Sequence, residues 1–246
     1  MAPLTVGRLF VGWLRKCWLD MGAVYQVVAM LALLLVLLLA GAKVLAADGV
    51  QSAAPRPAAR VVIPGHSTRY RLAIERETGA VFGLTGSPAR IAAQIHQESR
   101  FKPRAQSTYA QGLAQFTPST AAWIAKVYPA ECGRADPWDE QWSIRCAVMY
   151  DAYLIAHVRA ADDCERWAMG LSAYNGGLSW VQRDQRLAVA VGANGQRWFD
   201  QVEKYSGRSA AAKAENRAYV RRILRTLEHA YIDAGWEGSA VCPRSA

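Results

Sequence analysis

Apolar residues follow two different patterns along this chain of 246 residues. Near the start, residues 24–42 read VYQVVAMLALLLVLLLAGA, with no charged side chain. A helix of about 19 such residues comes close to spanning the hydrocarbon of a bilayer. From about Arg69 onward apolar positions recur at helical spacing instead. Ser87-Pro88 reads as an N-cap followed by a first helical residue and opens a helix from Pro88 to about Arg100. Further helices are predicted near Pro118 to Val127, Gln141 to Ala160, Arg166 to Tyr174 and Glu215 to Ala234. Ile144, Val148, Ala152 and Ile155 form a stripe on the third of these, and Tyr219, Ile223, Leu227 and Tyr231 form one on the last. No long alternating segment suggests a strand. The expected fold is mainly α with irregular loops, among them Ala130 to Trp142 and Arg183 to Trp198.

These patterns divide the chain into four parts. Residues 1–23 form a short leading segment, and 24–43 a transmembrane anchor or signal sequence. Residues 44–67, which contain AAPRPAAR, read as an Ala/Pro-rich linker. Residues 68–240 form the folded domain. Arg8, Arg15 and Lys16 precede the apolar run, so the positive-inside rule puts the N-terminus in the cytoplasm and the domain outside. Cleavage after Ala46 is the competing reading, since Val44-Leu45-Ala46 suits a signal peptidase. An uncleaved inner-membrane anchor is preferred for the length of the run, and either reading exports the domain to the periplasm.

Composition adds two constraints. The formal charge of +9 fits an anionic polymer partner as well as a solvated basic surface. Basic residues are dispersed and follow a membrane segment, which argues against a nucleic-acid partner. Cys17 falls on the cytoplasmic side, whereas Cys132, Cys146, Cys164 and Cys242 fall beyond the apolar run. An even number in an oxidising compartment suggests two disulfides. Of the three pairings, Cys132–Cys146 with Cys164–Cys242 is preferred. The absence of CxxC or HxxxH spacing speaks against zinc, and no metal or organic cofactor is implied.

One carboxylate stands out. Ile91, Ile95 and Glu98 lie at i, i+4 and i+7, which puts Glu98 on the apolar face of its helix near the C-terminal end. Burial and the negative end of the helix dipole both oppose ionisation there. The pKa should therefore rise, as a general acid for glycosidic cleavage requires. A salt bridge to Arg100 or Lys102 is the structural alternative.

The residues that follow narrow the choice. Glu98-Ser99-Arg100-Phe101 comes first, then Ser107, Gly112-Leu113-Ala114-Gln115-Phe116-Thr117-Pro118, Ala173-Tyr174-Asn175-Gly176-Gly177, and Glu215-Asn216-Arg217-Ala218-Tyr219-Val220. This ordered set resembles the SLT-type lytic transglycosylases, relatives of goose-type lysozyme, over about residues 70–235. The resemblance implies a lysozyme-like catalytic domain acting on peptidoglycan glycan strands, with Glu98 as the single catalytic residue. It also implies that Ser107, Gly112, Gln115, Phe116, Tyr174, Asn175 and Tyr219 bind substrate or line the cleft. Gln115 would meet the sugar amide, and Gly112 would let the backbone approach the glycan. Two departures are visible. Ala114 replaces the usual methionine, and the spacing from Ser107 to Gly112 is one residue short.

The reaction implied is cleavage of the MurNAc–GlcNAc β-1,4 bond with formation of 1,6-anhydro-MurNAc. Glu98 would act as acid and then as base. A hydrolytic muramidase would need a second carboxylate across the sugar; Asp136, Asp139 and Glu140 are available, but no motif nominates them. A membrane-anchored glycan-binding protein without turnover is the reading from another class. Wall recycling, envelope-spanning secretion or conjugation machinery, and phage lysis are all settings such a domain would suit.

Overall fold

The computed structural model describes residues 61–244. The apolar run at 24–42, its flanking charges and Cys17 lie outside the described residues. Among the described residues no helix is long and apolar enough to cross a membrane.

Among the described residues nine α-helices follow one another. They are α1 (Arg71–Phe82), α2 (Pro88–Ser99), α3 (Pro118–Val127), α4 (Pro129–Cys132), α5 (Glu140–Ala156), α6 (Asp163–Gly176), α7 (Leu178–Ala190), α8 (Ala210–Arg222) and α9 (Glu228–Asp233). A π-helical turn, Ile223–Leu227, joins α8 to α9. Among the described residues the only β-pairing is two isolated bridges, Gln106 with Gln111 and Gln111 with Phe116. The mainly α expectation therefore holds.

Side-chain caps set five helix starts, of which the sequence reading named Ser87. Ser87, Thr117, Asp139, Asp162 and Ser209 each accept a backbone N–H from the first turn of α2, α3, α5, α6 and α8. Such a cap contributes about 1 kcal/mol. Helix α2 packs against α1, the π turn and α9, while α6 packs against α5, α7 and α8. The main core runs through these helices. A smaller apolar cluster, including Phe116, Ile124, Trp142 and Ala147, sits under α3 and α5.

The π turn accounts for the last apolar stripe. Tyr219, Ile223, Leu227 and Tyr231 are all buried, yet steps of four drift about 120° over that distance on an ideal α-helix. One wider turn with i to i+5 bonding absorbs most of that drift. Tyr219 can then face α2 while Tyr231 still packs beneath it.

Three boundaries differ from the sequence reading. Val61 and Ile63 already pack against the core, and Ser67 and Tyr70 are buried, within or next to the stretch read as linker. The segment Arg183 to Trp198, read as a loop, is helical as far as Ala190. Its buried face consists of Val181, Asp184 and Ala188. An ion-paired Asp in the middle of that face hides the apolar period. Ala130 to Trp142 likewise holds the short α4 and the start of α5.

Both preferred cysteine pairs lie at bonding distance. Cys132–Cys146 joins α4 to α5, and Cys164–Cys242 ties the C-terminal tail to the start of α6.

Candidate active site

Glu98 occupies the last turn of α2, and the chain turns away sharply just beyond it. Arg100 and Phe101 both have positive φ, 53° and 60°. Consecutive non-glycine residues in that region cost of order 1 kcal/mol each and need support. Phe101 supplies it. Its ring is fully buried, stacked on Tyr70 at 5.7 Å and set against Tyr231 at 6.2 Å. The Arg100 carbonyl also meets His66 Nε2 at 3.1 Å.

Glu98 is partly buried. Its Oε1 accepts a hydrogen bond from the Tyr219 hydroxyl at 2.5 Å. Among the described residues it makes no ion pair, so the alternative of a bridge to Arg100 or Lys102 is not realised. Burial pushes its carboxyl up to about 8; the Tyr219 bond opposes the shift and the nearby charge of Glu215 adds to it. The group is therefore mostly protonated at neutral pH. With Oε1 accepting from Tyr219, the acidic proton belongs on Oε2. Burial and the Glu98 charge raise the Tyr219 and Tyr174 hydroxyls well above the usual tyrosine range, so both remain donors.

The other predicted residues are held by hydrogen bonds of their own. Tyr174 donates to the Ala114 carbonyl at 2.8 Å, locking the end of α6 to the Gly112–Gln115 turn. Gln115 is held at a φ of 49°. Its Nε2 donates to the carbonyls of Ala105 (3.1 Å) and Gly112 (2.9 Å). Both amide protons are thus used, leaving Oε1 to accept an N–H from outside. Asn175 is exposed, and its Oδ1 accepts from Asn216 Nδ2 at 2.7 Å. Asn216 is fixed in turn by Ser172. This network sets α8, and with it Tyr219, against the end of α6.

Two assignments shift, those of Phe116 and Gly112. Phe116 was expected to touch substrate but is 2% exposed, its ring enclosed by Trp142, Tyr150 and Tyr174. It packs between α5 and α6 as part of the smaller apolar cluster. Gly112 was expected to admit the glycan. Its φ is +79°, and a Cβ there would lie 1.7 Å from the Pro137 carbonyl oxygen, so its bare Cα serves backbone packing. Ser107 sits on an exposed turn, where its Oγ accepts from the amides of Tyr109 (3.4 Å) and Ala110 (3.0 Å).

The carboxylates considered as partners for hydrolysis are occupied. Asp139 caps α5, Asp136 accepts from Trp138 and Asp139, and Glu140 pairs with Arg69 at 2.6 Å. The exposed Glu215, quoted above only as part of a motif, is the carboxylate whose charge Glu98 feels. Asp151 also escaped the sequence reading. It is 1% exposed and accepts from Gln94 Nε2 at 3.1 Å. A signal was present: Asp151 interrupts the stripe Ile144, Val148, Ile155 at a core position. Among the described residues no cluster of His, Cys, Asp and Glu could hold a metal ion.

Comparison with known proteins agrees with this geometry. Residues 84–195 match the Transglycosylase SLT domain family. The chain is 31% identical to a membrane-bound lytic murein transglycosylase F of Shewanella denitrificans over 113 residues, 45% of this chain and 21% of that protein. It is 37% identical to the protein of the same name from Desulfosudis oleivorans over 113 residues, 44% of this chain and 22% of that protein. The chain thus spans about a fifth of the length of these relatives. The matched stretch contains Glu98, Gln115, Tyr174 and Asn175, and over that stretch the chain is similar to the Transglycosylase SLT domain family.

Proposed function

We propose that this protein cleaves peptidoglycan glycan strands as a lytic transglycosylase, with Glu98 acting first as acid and then as base. The observation that carries the reading is the Glu98–Tyr219 pair: a partly buried carboxyl, neutral at working pH, held by one hydrogen bond at the end of a fixed helix.

The steps follow from that pair. Protonated Glu98 gives its Oε2 proton to the bridging oxygen between MurNAc and GlcNAc, through an oxocarbenium-like transition state. The substrate's own acetamido group assists in place of an enzyme nucleophile. Glu98 is then a carboxylate, stabilised by the Tyr219 hydroxyl. It takes the proton from the muramic acid 6-hydroxyl as that oxygen attacks the anomeric carbon. The product is a 1,6-anhydro end, and water is not consumed. One group serves twice because its pKa lies near the working pH. Gln115 Oε1 accepts an acetamido N–H, and Asn175, on the same side as Glu215, contacts the glycan.

Residues 24–42 support attachment to the inner membrane with the domain in the periplasm. There it would work on wall recycling, or beside a secretion, conjugation or phage lysis system. Hydrolysis remains the competing outcome because Glu215 stands near Glu98. Glu98→Gln is the test: the folded variant should fail to solubilise purified sacculi, and full retained activity would remove Glu98 from the mechanism.

A further inference from the structure

Behind Glu98, on the protein side, lies a second carboxyl group that the reaction above does not use. Asp151 projects from α5 to the underside of α2 and is 1% exposed. It meets Gln94, one helical turn before Glu98 on the same face of α2. Gln94 Nε2 donates to Asp151 Oδ1 at 3.1 Å. The other two oxygens of this contact, Asp151 Oδ2 and Gln94 Oε1, are both buried and receive no hydrogen bond. Two buried acceptors without a donor would be costly if Asp151 were ionised. A proton on Oδ2 satisfies both, because it can be donated to Gln94 Oε1. The amide and the acid then form a closed ring of two hydrogen bonds.

The surroundings point the same way. The groups that Asp151 faces are Gln94, Arg90 and Glu98 on α2, Tyr174 on α6 and Tyr219 on α8, with Tyr150 on its own helix. Arg90 is the only cation among them, and Glu228 holds it at 2.8 Å with both side chains nearly fully buried. Asp151 therefore has no counter-ion of its own, and an isolated buried carboxylate protonates instead.

We propose that Asp151 is a positioning residue for Glu98: a neutral carboxylic acid, closed into a ring with Gln94 beneath the catalytic helix, coupled so that the two carboxyl groups carry at most one negative charge over the working pH range. This rests on Glu98 being the acid and base of the reaction. Burial holds Asp151 at about 8, and the Glu98 charge adds to the shift. The two groups then lose protons as a pair, in two separated steps. Glu98 ionises over a wider span than a lone group would, so part of the population keeps its acid form at alkaline pH.

The test compares wild type with Asp151→Asn in the full chain. Asparagine preserves the shape and the ring with Gln94 but cannot ionise. Sacculus solubilisation across pH should show a steeper alkaline limb for the variant, ending at lower pH. For each unit of coupling, its activity at the alkaline end should be ~10-fold lower than wild type. Activity near pH 5 should differ by less than about twofold, since both carboxyls are then protonated. Superimposable limbs would overturn the coupling. A second measurement is independent of turnover. In Glu98→Gln, infrared spectroscopy at neutral pH should show protonated-carboxyl absorption that is weaker in Glu98→Gln/Asp151→Asn by one group. Equal absorption in the two variants would show that Asp151 is ionised and overturn the proposal, whatever becomes of Glu98.

Discussion

At the scale of single residues, Glu98 gives up stability for function. Its folded-state pKa of about 8 lies above the ordinary value near 4.3 for an unfolded chain. Below that lower value both states are protonated and nothing is lost. As pH rises toward 8 the unfolded state releases its proton and the folded state keeps it, so stability falls through that window. Glu98→Gln should therefore gain thermal stability over wild type as pH rises from about 5 to 8, and show no gain near pH 4. Melting curves at both ends check this, and equal differences would mean Glu98 is not shifted. Tyr219→Phe removes the bond that opposes the shift. We expect the alkaline limb of activity to move up and the maximal rate to fall ~10- to 100-fold, in line with a hydrogen bond to a charged group. A pH–rate profile of the variant separates the two effects.

At the scale of elements, the site is assembled from the end of α2, the Gly112–Gln115 turn, the end of α6 and one face of α8. Gly112 is where this assembly tolerates least change. With Pro137's carbonyl 1.7 Å from the place of a Cβ, Gly112→Ala must move backbone. We expect a loss of about 2–3 kcal/mol, read from the urea midpoint, together with reduced cleavage as Gln115 shifts. The disulfides act at the same scale but unequally. Cys132–Cys146 spans 14 residues and Cys164–Cys242 spans 78. Chain entropy assigns them about 3 and 4.5 kcal/mol, so serine substitution of the second pair should lower the melting temperature more.

Much of this arrangement is readable from sequence, for identifiable reasons. Pro88, Pro118 and the side-chain caps mark helix starts through local chemistry. Ile91, Ile95 and Glu98 mark a face through spacing alone. What stays hidden depends on distant contacts. Asp184 disguises α7 because its partner Arg208 lies beyond the helix, at 3.4 Å. The burial of Phe116 depends on rings from α5 and α6. Asp151 breaks an apolar stripe, but only its neighbours on α2 show that it lies beneath Glu98.

At the scale of the whole molecule, a charge of +9 and an anionic wall polymer imply attraction that salt weakens. Binding of inactive Glu98→Gln to purified sacculi should decline steadily from low to high ionic strength; salt-independent binding would assign recognition to the cleft alone. Membrane attachment through residues 24–42 predicts that the full chain partitions with inner membranes, which fractionation with N-terminal sequencing would establish.

The central claim is that one carboxyl serves as both acid and base, without water. Its most direct test is mass spectrometry of the soluble muropeptides released from purified sacculi by the full chain. Products ending in 1,6-anhydro-MurNAc are predicted. Products ending in reducing MurNAc, heavier by one water, would contradict the account and make Glu215 the residue to examine next.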